Sequence, residues 1–171
     1  DGSSAHSNIG IRVRGALGLE ALDSELKLIT WSHEAAFPET LLPEEIDRIK
    51  VLASKLPASA PGSVRVKWIT EGAIHKSLIE LLNGASIGDE VMITLFYLSD
   101  REVIAAIKQA AENGAKVRMV LDANRDAFGR EKSGIPNRIV AGEFRGLAAE
   151  NNISIVWADT HGEQFHNKAL G

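Results

Sequence analysis

A histidine and a lysine stand two residues apart near the end of the sequence, at His166 and Lys168, in a segment that predicts a β-strand. On a β-strand, alternate side chains point to the same face, so both of these polar side chains would reach one ligand. A neutral imidazole can attack an electrophilic phosphorus, and a lysine ammonium can neutralise phosphoryl oxygens as charge develops on them. The pair therefore suits phosphoryl chemistry without a metal, although the spacing taken alone fits an ordinary surface strand better.

The segments that precede the pair have the order of an α/β protein. Apolar strand patterns alternate with amphipathic helical patterns, with strands predicted at 64–70, 91–98, 116–122 and 153–158 and helices at 72–85 and 100–114. The nearly continuous apolar runs VMITLFYL and VRMVLD favour interior strands of a mostly parallel or mixed sheet with helices on both faces. Asp100 is predicted to cap the helix that follows it, and Gly114 to end that helix in a left-handed conformation.

In such sheets ligands bind beyond the carboxyl ends of the strands, and two polar segments are expected there. Residues 122–138 form a connection that is too long for a simple turn, so they are either a substrate-facing loop or an exposed loop with turn chemistry. The closing segment contains His161 and Glu163 ahead of His166. These two residues either line the site and orient His166, as substrate-binding residues, or are solvated loop residues.

A segment rich in proline, serine and alanine divides the chain. We predict a linker at 57–63, with a strand-helix-helix segment at 1–56 before it and the α/β part at 64–171 after it. In the first part, IGIRVRG is typical of a strand. Leucines at three- and four-residue spacing from Leu19 predict a helix, and Pro43 is expected to begin a second helix.

Composition excludes several classes of function. The sequence contains no cysteine, which rules out disulfides, thiolate nucleophiles and cysteine-based zinc sites. The net charge of -4 gives no strong nucleic-acid signature, since phosphate neutralisation needs a basic surface. We assign no metal and no cofactor, because the remaining histidines lack partners at metal-ligand spacing. These histidines are expected at the surface or in helix caps: His6, His33 and His75. The tryptophans are expected to pack in the core or at its rim: Trp31, Trp68 and Trp157.

No apolar run reaches the ~20 residues needed to span a bilayer, so an exporting or anchoring segment would lie outside these residues.

Residues 64–171 resemble the phospholipase D superfamily, whose HKD motif is His-x-Lys followed four residues later by Asp. FYLSDREVIAAIKQAAENGAKVRMVLD resembles the strand-helix-strand that precedes the motif, and HGEQFHNK places the motif's histidine and lysine at His166 and Lys168. The motif's aspartate would fall two positions beyond Gly171. Ser3 and Asn8, with the helix that carries Trp31, are similar to the segment that follows a preceding motif, so 1–56 is expected to be the tail of a preceding half.

The resemblance implies a phospholipase D-like sandwich fold and a reaction. His166 would be the nucleophile or the general acid, and Lys168 a phosphate clamp. The substrate would be a phospholipid or another phosphodiester, hydrolysed or transferred through a phosphohistidine. A second HKD half, from the same polypeptide or from a second copy, would supply the other histidine, so the isolated chain is expected to be inactive. A nuclease of the same superfamily and a non-catalytic scaffold remain the alternatives.

Overall fold

The computed structural model of the chain describes residues 17–36, 43–55, 66–123, 137–150, 152–159 and 165–171. The chain divides into two compact units, whose described residues run from Leu17 to Thr70 and from Glu71 to Gly171. The predicted linker at 57–63 lies outside the described residues. The division into 1–56, 57–63 and 64–171 therefore stays a prediction.

The first unit contains two helices among its described residues, α1 (Leu17–Ala36) and α2 (Pro43–Ser54). Both helices were predicted, and α2 begins at Pro43 because proline lacks the N–H that the first turn leaves unpaired. The strand predicted at 9–15 lies outside the described residues. The strand predicted at 64–70 is wrong over residues 66–70, which have no regular secondary structure. An alternating segment becomes a strand only by pairing with another, and no described residue pairs with this one.

The second unit is built around a four-stranded sheet. Its helices and strands follow in the order α3 (Gly72–Gly84), β1 (Glu90–Leu95), α4 (Arg101–Glu112), β2 (Lys116–Leu121), α5 (Asn137–Glu143), α6 (Arg145–Ala149), β3 (Ile153–Trp157) and β4 (Lys168–Leu170). The strand order is β3-β2-β1-β4. β2 pairs in parallel with both β1 and β3, whereas β4 runs antiparallel to β1 at the sheet edge. The predicted α/β class with a mixed sheet is confirmed.

The core of this unit lies on one face of the sheet. Partners in the parallel ladders share a face, and Val91, Ile93, Val117 and Met119 are buried there against α3, α4 and the α5–α6 segment. The described helices of this unit thus pack on that face, whereas the sequence predicted helices on both. Met92, which points to the opposite face, is 60% exposed.

Helix α4 follows the local signals of its sequence closely. The Asp100 carboxylate accepts hydrogen bonds from the backbone N–H groups of Glu102 and Val103, each at 3.0 Å, as an N-cap does. The bond from Val103 is the main reason that the pKa of Asp100 lies below its usual value. Gly114 has φ +92°, the left-handed conformation predicted for the residue that ends this helix. These two residues define the start and the end of α4, which connects β1 to β2. The carboxyl ends of β1 and β2 lie side by side in the sheet.

Candidate functional site

Strand β4 brings the predicted motif to the carboxyl end of β1. Lys168 is opposite Leu95, the last residue of β1, and the N–H of Phe96 donates to the carbonyl of Asn167 at 2.8 Å. His166 lies just before the strand begins rather than on it. The pairing of β4 with β1 therefore holds His166 beside the end of β1.

His166 and Lys168 are in direct contact and both are exposed. Lys168 Nζ lies 2.9 Å from His166 Nε2, so the two side chains lie on the same side of the chain, as strand alternation predicts. An ammonium has donors only, so a charged Lys168 donates to Nε2, which assigns the proton of the neutral imidazole to Nδ1. The nitrogen that faces the lysine is then the one with the lone pair, which is the form that a nucleophile or a general base requires.

An aromatic ring supports both members of the pair. The Phe96 ring is buried, with its centroid 5.0 Å from that of the His166 imidazole and the two rings tilted by 59°. Lys168 Nζ lies 5.6 Å from the same centroid, within the range of a cation–π interaction. Sequence analysis placed Phe96 inside a strand at 91–98, but β1 ends at Leu95. Its position just past the strand end, which the structure shows, is what brings its ring to the pair.

The charge of Lys168 is available to an anion. No carboxylate among the described residues lies within ion-pair distance of its ammonium. The contact with Nε2 is between a cation and a neutral ring, and it leaves two of the three ammonium protons to point elsewhere. A phosphoryl oxygen that approached the imidazole would therefore meet a positive charge that no described carboxylate neutralises.

Two buried polar side chains lie near the carboxyl ends of β1 and β2. Asp122, at the end of β2, is 1% exposed, and its Oδ2 accepts the N–H of Phe165 at 2.7 Å. Asn137, the first residue of α5, is fully buried. Sequence analysis gave neither a role, because both fell in the polar segment 122–138. Residues 124–136 lie outside the described residues, so a substrate-facing role for that loop stays a prediction.

The roles predicted for His161 and Glu163 stay predictions. His161 and Glu163 lie outside the described residues, as does His6, and the His33 side chain is not described. His75, on α3, has its Nε2 3.3 Å from the Asp100 carboxylate, in agreement with the surface or capping role predicted for it. No group of three or more potential metal ligands occurs among the residues that the structure describes.

The tryptophans are more exposed than predicted. Trp31 is 72% exposed, and Trp68 and Trp157 are also exposed, so none of them is a core residue. Trp157 ends β3, where the guanidinium of Arg138 lies 5.3 Å from its ring centroid. A large side chain at the end of a short edge strand has no further layer to cover it.

In the described part of the chain, no helix is long and apolar enough to cross a membrane.

The contacting His-x-Lys pair thus lies at the carboxyl end of β1 in a mixed α/β sheet. The family model described as "Cardiolipin synthase, PLD-like domain" matches residues 78–170, more than half of the chain. The chain therefore belongs to the phospholipase D-like domain family, and the predicted superfamily is confirmed. The match includes β1, β4 and the His166–Lys168 pair.

The remaining comparisons are distant. Among solved structures, the chain is similar to TrmBL2, an archaeal chromatin protein whose structure shows a novel mode of DNA binding, with 16% sequence identity and a TM-score of 0.44. The similarity covers 90% of this chain and 48% of the chromatin protein, so this chain spans about half of that protein's length. No curated protein matches the chain.

Proposed function

We propose that this chain supplies one half of a phospholipase D-type site that hydrolyses phospholipid phosphodiesters or transfers their phosphatidyl group. The observation that carries the proposal is the 2.9 Å contact between Lys168 Nζ and His166 Nε2 at the carboxyl end of β1. Membership of the family supports the reaction class. A second HKD half, from the same polypeptide or from a second copy, completes the site.

The geometry supports a simple sequence of steps. When the phosphodiester enters, a non-bridging oxygen takes over the Lys168 ammonium, and Nε2 of His166 regains a free lone pair. Nε2 then forms a bond to phosphorus while the bond from phosphorus to the leaving alcohol breaks, and the second half's histidine donates a proton to that alcohol. Water or a second alcohol then attacks the phosphorus, the second half's histidine accepts the proton of that nucleophile, and the bond from phosphorus to Nε2 breaks, which returns His166 to its neutral form. This assignment makes His166 the nucleophile, since its lone pair faces the clamp.

The charge of the chain supports a lipid substrate over a nucleic acid. Non-specific binding to DNA or RNA depends on neutralising several phosphates with basic residues. This chain has 19 basic and 23 acidic residues, for a net charge of -4. One clamp lysine suffices for a single phosphodiester at a lipid headgroup, whereas a polyanion needs a basic groove.

The test is an activity assay on a protein that contains this chain together with a second HKD half. We expect His166→Asn to lower turnover of a phosphatidyl substrate by at least ~10²–10⁴, the contribution of a general acid or base, with the fold unchanged. His75→Asn, which changes a partly exposed histidine on α3, is the matched control and should retain full activity. The 171-residue chain alone should show no turnover unless two copies pair their motifs.

Four outcomes separate the alternatives. Full activity in His166→Asn would disprove the mechanism, and so would loss of activity on addition of EDTA, because the proposed chemistry uses no metal. Turnover of single-stranded DNA but not of the phosphatidyl substrate would keep the mechanism and make the protein a nuclease. No turnover of either substrate by the two-half protein would indicate a scaffold.

A further inference from the structure

The backbone is held on both sides of His166 by hydrogen bonds to the ends of β1 and β2. On one side, the N–H of Phe165 donates to the Asp122 carboxylate at 2.7 Å. On the other side, the carbonyl of Asn167 accepts the N–H of Phe96 at 2.8 Å. The imidazole therefore projects from a segment that is fixed at the residue before it and at the residue after it.

Asn137 joins these two supports to each other. Its Nδ2 donates to the carbonyl of Phe96 at 2.6 Å and to the carbonyl of Asp122 at 3.0 Å, and its Oδ1 accepts the N–H of Leu98 at 2.9 Å. The side chain is fully buried, and all three bonds reach residues that lie 15 to 41 positions away in the chain. One amide thus sets the separation between the residues that hold Phe165 and Asn167.

Packing alone does not explain two polar side chains at this place. A buried carboxylate or amide is costly unless it is fully hydrogen-bonded, and apolar residues of similar volume commonly serve packing as well or better. The surrounding core is apolar: Leu121 precedes Asp122, Leu98 is hydrogen-bonded to Asn137, and both leucines are buried. What an apolar residue would not provide is the set of directed bonds that lead to the backbone around His166.

We propose that Asp122 and Asn137 are positioning residues for the His166–Lys168 pair, an inference that rests on the proposed phosphoryl-binding function of that pair. Neither side chain touches the substrate. Asp122 fixes the backbone before the imidazole, and Asn137 fixes Asp122 and Phe96 relative to each other. Together they keep Nε2 of His166 and the ammonium of Lys168 at the separation that one phosphoryl group can bridge.

The test compares Asp122→Ala and Asp122→Asn in the full chain by NMR. Hydrogen exchange of the Phe165 amide reports the backbone support, and a titration with orthovanadate, followed at the His166 ring, reports the anion site. In Asp122→Ala we expect Phe165 to exchange at least about tenfold faster relative to the β2 amide of Val117, and vanadate affinity to fall at least about tenfold, since small displacements at such sites are costly. Asp122→Asn retains an acceptor oxygen and should recover most of both losses.

Asp89→Ala is the matched control. The Asp89 carboxylate also accepts a backbone N–H, that of Ser86 at 2.9 Å, but it lies at the amino end of β1, away from the pair. We expect this variant to leave both the Phe165 exchange and the vanadate affinity unchanged. A purely structural role for Asp122 would make Phe165 and Val117 exchange faster by the same factor, and that result would overturn the inference.

The two proposals fail in different ways. If the unmodified chain gives no vanadate shifts at His166, the phosphoryl-binding function fails, and the positioning role is then decided by the Phe165 exchange and the His166 ring signals alone. If the unmodified chain binds vanadate and Asp122→Ala binds it within about threefold as tightly, a difference below 1 kcal/mol, the positioning role fails while the function stands. Tighter binding by Asp122→Ala would also overturn the positioning role.

Discussion

Replacing Asn137 by alanine should destabilise the second unit strongly, because the change removes three buried hydrogen bonds at once. The N–H of Leu98 and the carbonyls of Phe96 and Asp122 would lose their partner on α5. All three residues are buried, so replacement by bulk water is restricted. The loss therefore includes the cost of leaving buried polar groups unpaired as well as the bonds themselves.

The size of the effect follows from the number of groups. A buried group left without its hydrogen bond costs about 1–3 kcal/mol. For a carbonyl that loses the partner of only one of its two lone pairs, the cost lies at the lower end of this range. We therefore take about 1 kcal/mol for each of the three partners, or about 3 kcal/mol in total. This is a large fraction of the ~5–15 kcal/mol that stabilises a typical domain, but the unit should remain folded.

Native-state hydrogen exchange suits this measurement, because it reports on one unit of a two-unit chain. The Val117 amide, which donates from β2 to the carbonyl of Asn152 at 2.7 Å, lies in the core of the sheet and should exchange through unfolding of the unit. A loss of about 3 kcal/mol corresponds to exchange that is roughly 150-fold faster in Asn137→Ala.

Asn83→Ala is the control, since it removes an exposed asparagine from α3. Alanine is the better helix former by up to about 0.7 kcal/mol, so this variant should not lose stability. If Asn137→Ala accelerated the Val117 exchange by less than about fivefold, or about 1 kcal/mol, the three hydrogen bonds would not be the support that we describe.

Two further predictions concern the scaffold. Gly114→Ala should destabilise the second unit by more than about 1 kcal/mol, because φ is +92° there and the new Cβ would lie 2.5 Å from the Ile87 side chain. Calorimetry should show the loss of stability, and an unchanged melting temperature would contradict the prediction. Hydrogen bonds from Arg101 and, to a smaller extent, Lys108 lower the pKa of Glu143 from its ordinary 4.5 to about 2. The stability that this carboxylate contributes is therefore present above about pH 4.5 and is lost as the pH falls towards 2. An NMR titration that gave Glu143 an ordinary value would refute this.

Local signals were the part of the fold that the sequence could predict. Helix α4 begins after Asp100 and turns at Gly114 as expected, because a cap bond and a left-handed residue depend only on neighbours in the chain. The contact between His166 and Lys168 was also predictable, since a spacing of two places side chains on one side of extended backbone.

The parts that could not be predicted depend on contacts between distant segments. Asn137 follows a proline in a segment that was expected to be a substrate-facing loop or an exposed loop with turn chemistry. Its three hydrogen-bond partners lie just past the ends of β1 and β2 and make it a buried support. The segment at 66–70 alternates like a strand, yet pairs with none of the described strands. In both cases the local pattern was compatible with two structures, and tertiary pairing decided between them.

The central claim is that His166 and Lys168 form one phosphoryl-binding site, and a titration of the 171-residue chain with inorganic phosphate tests it most directly. The His166 ring signals, followed by NMR, should shift in a saturable manner. The shifts should disappear in Lys168→Ala and persist in Lys76→Ala, which removes an exposed lysine from α3. Saturable shifts that persist unchanged in Lys168→Ala, or no shifts in the unmodified chain, would contradict the claim.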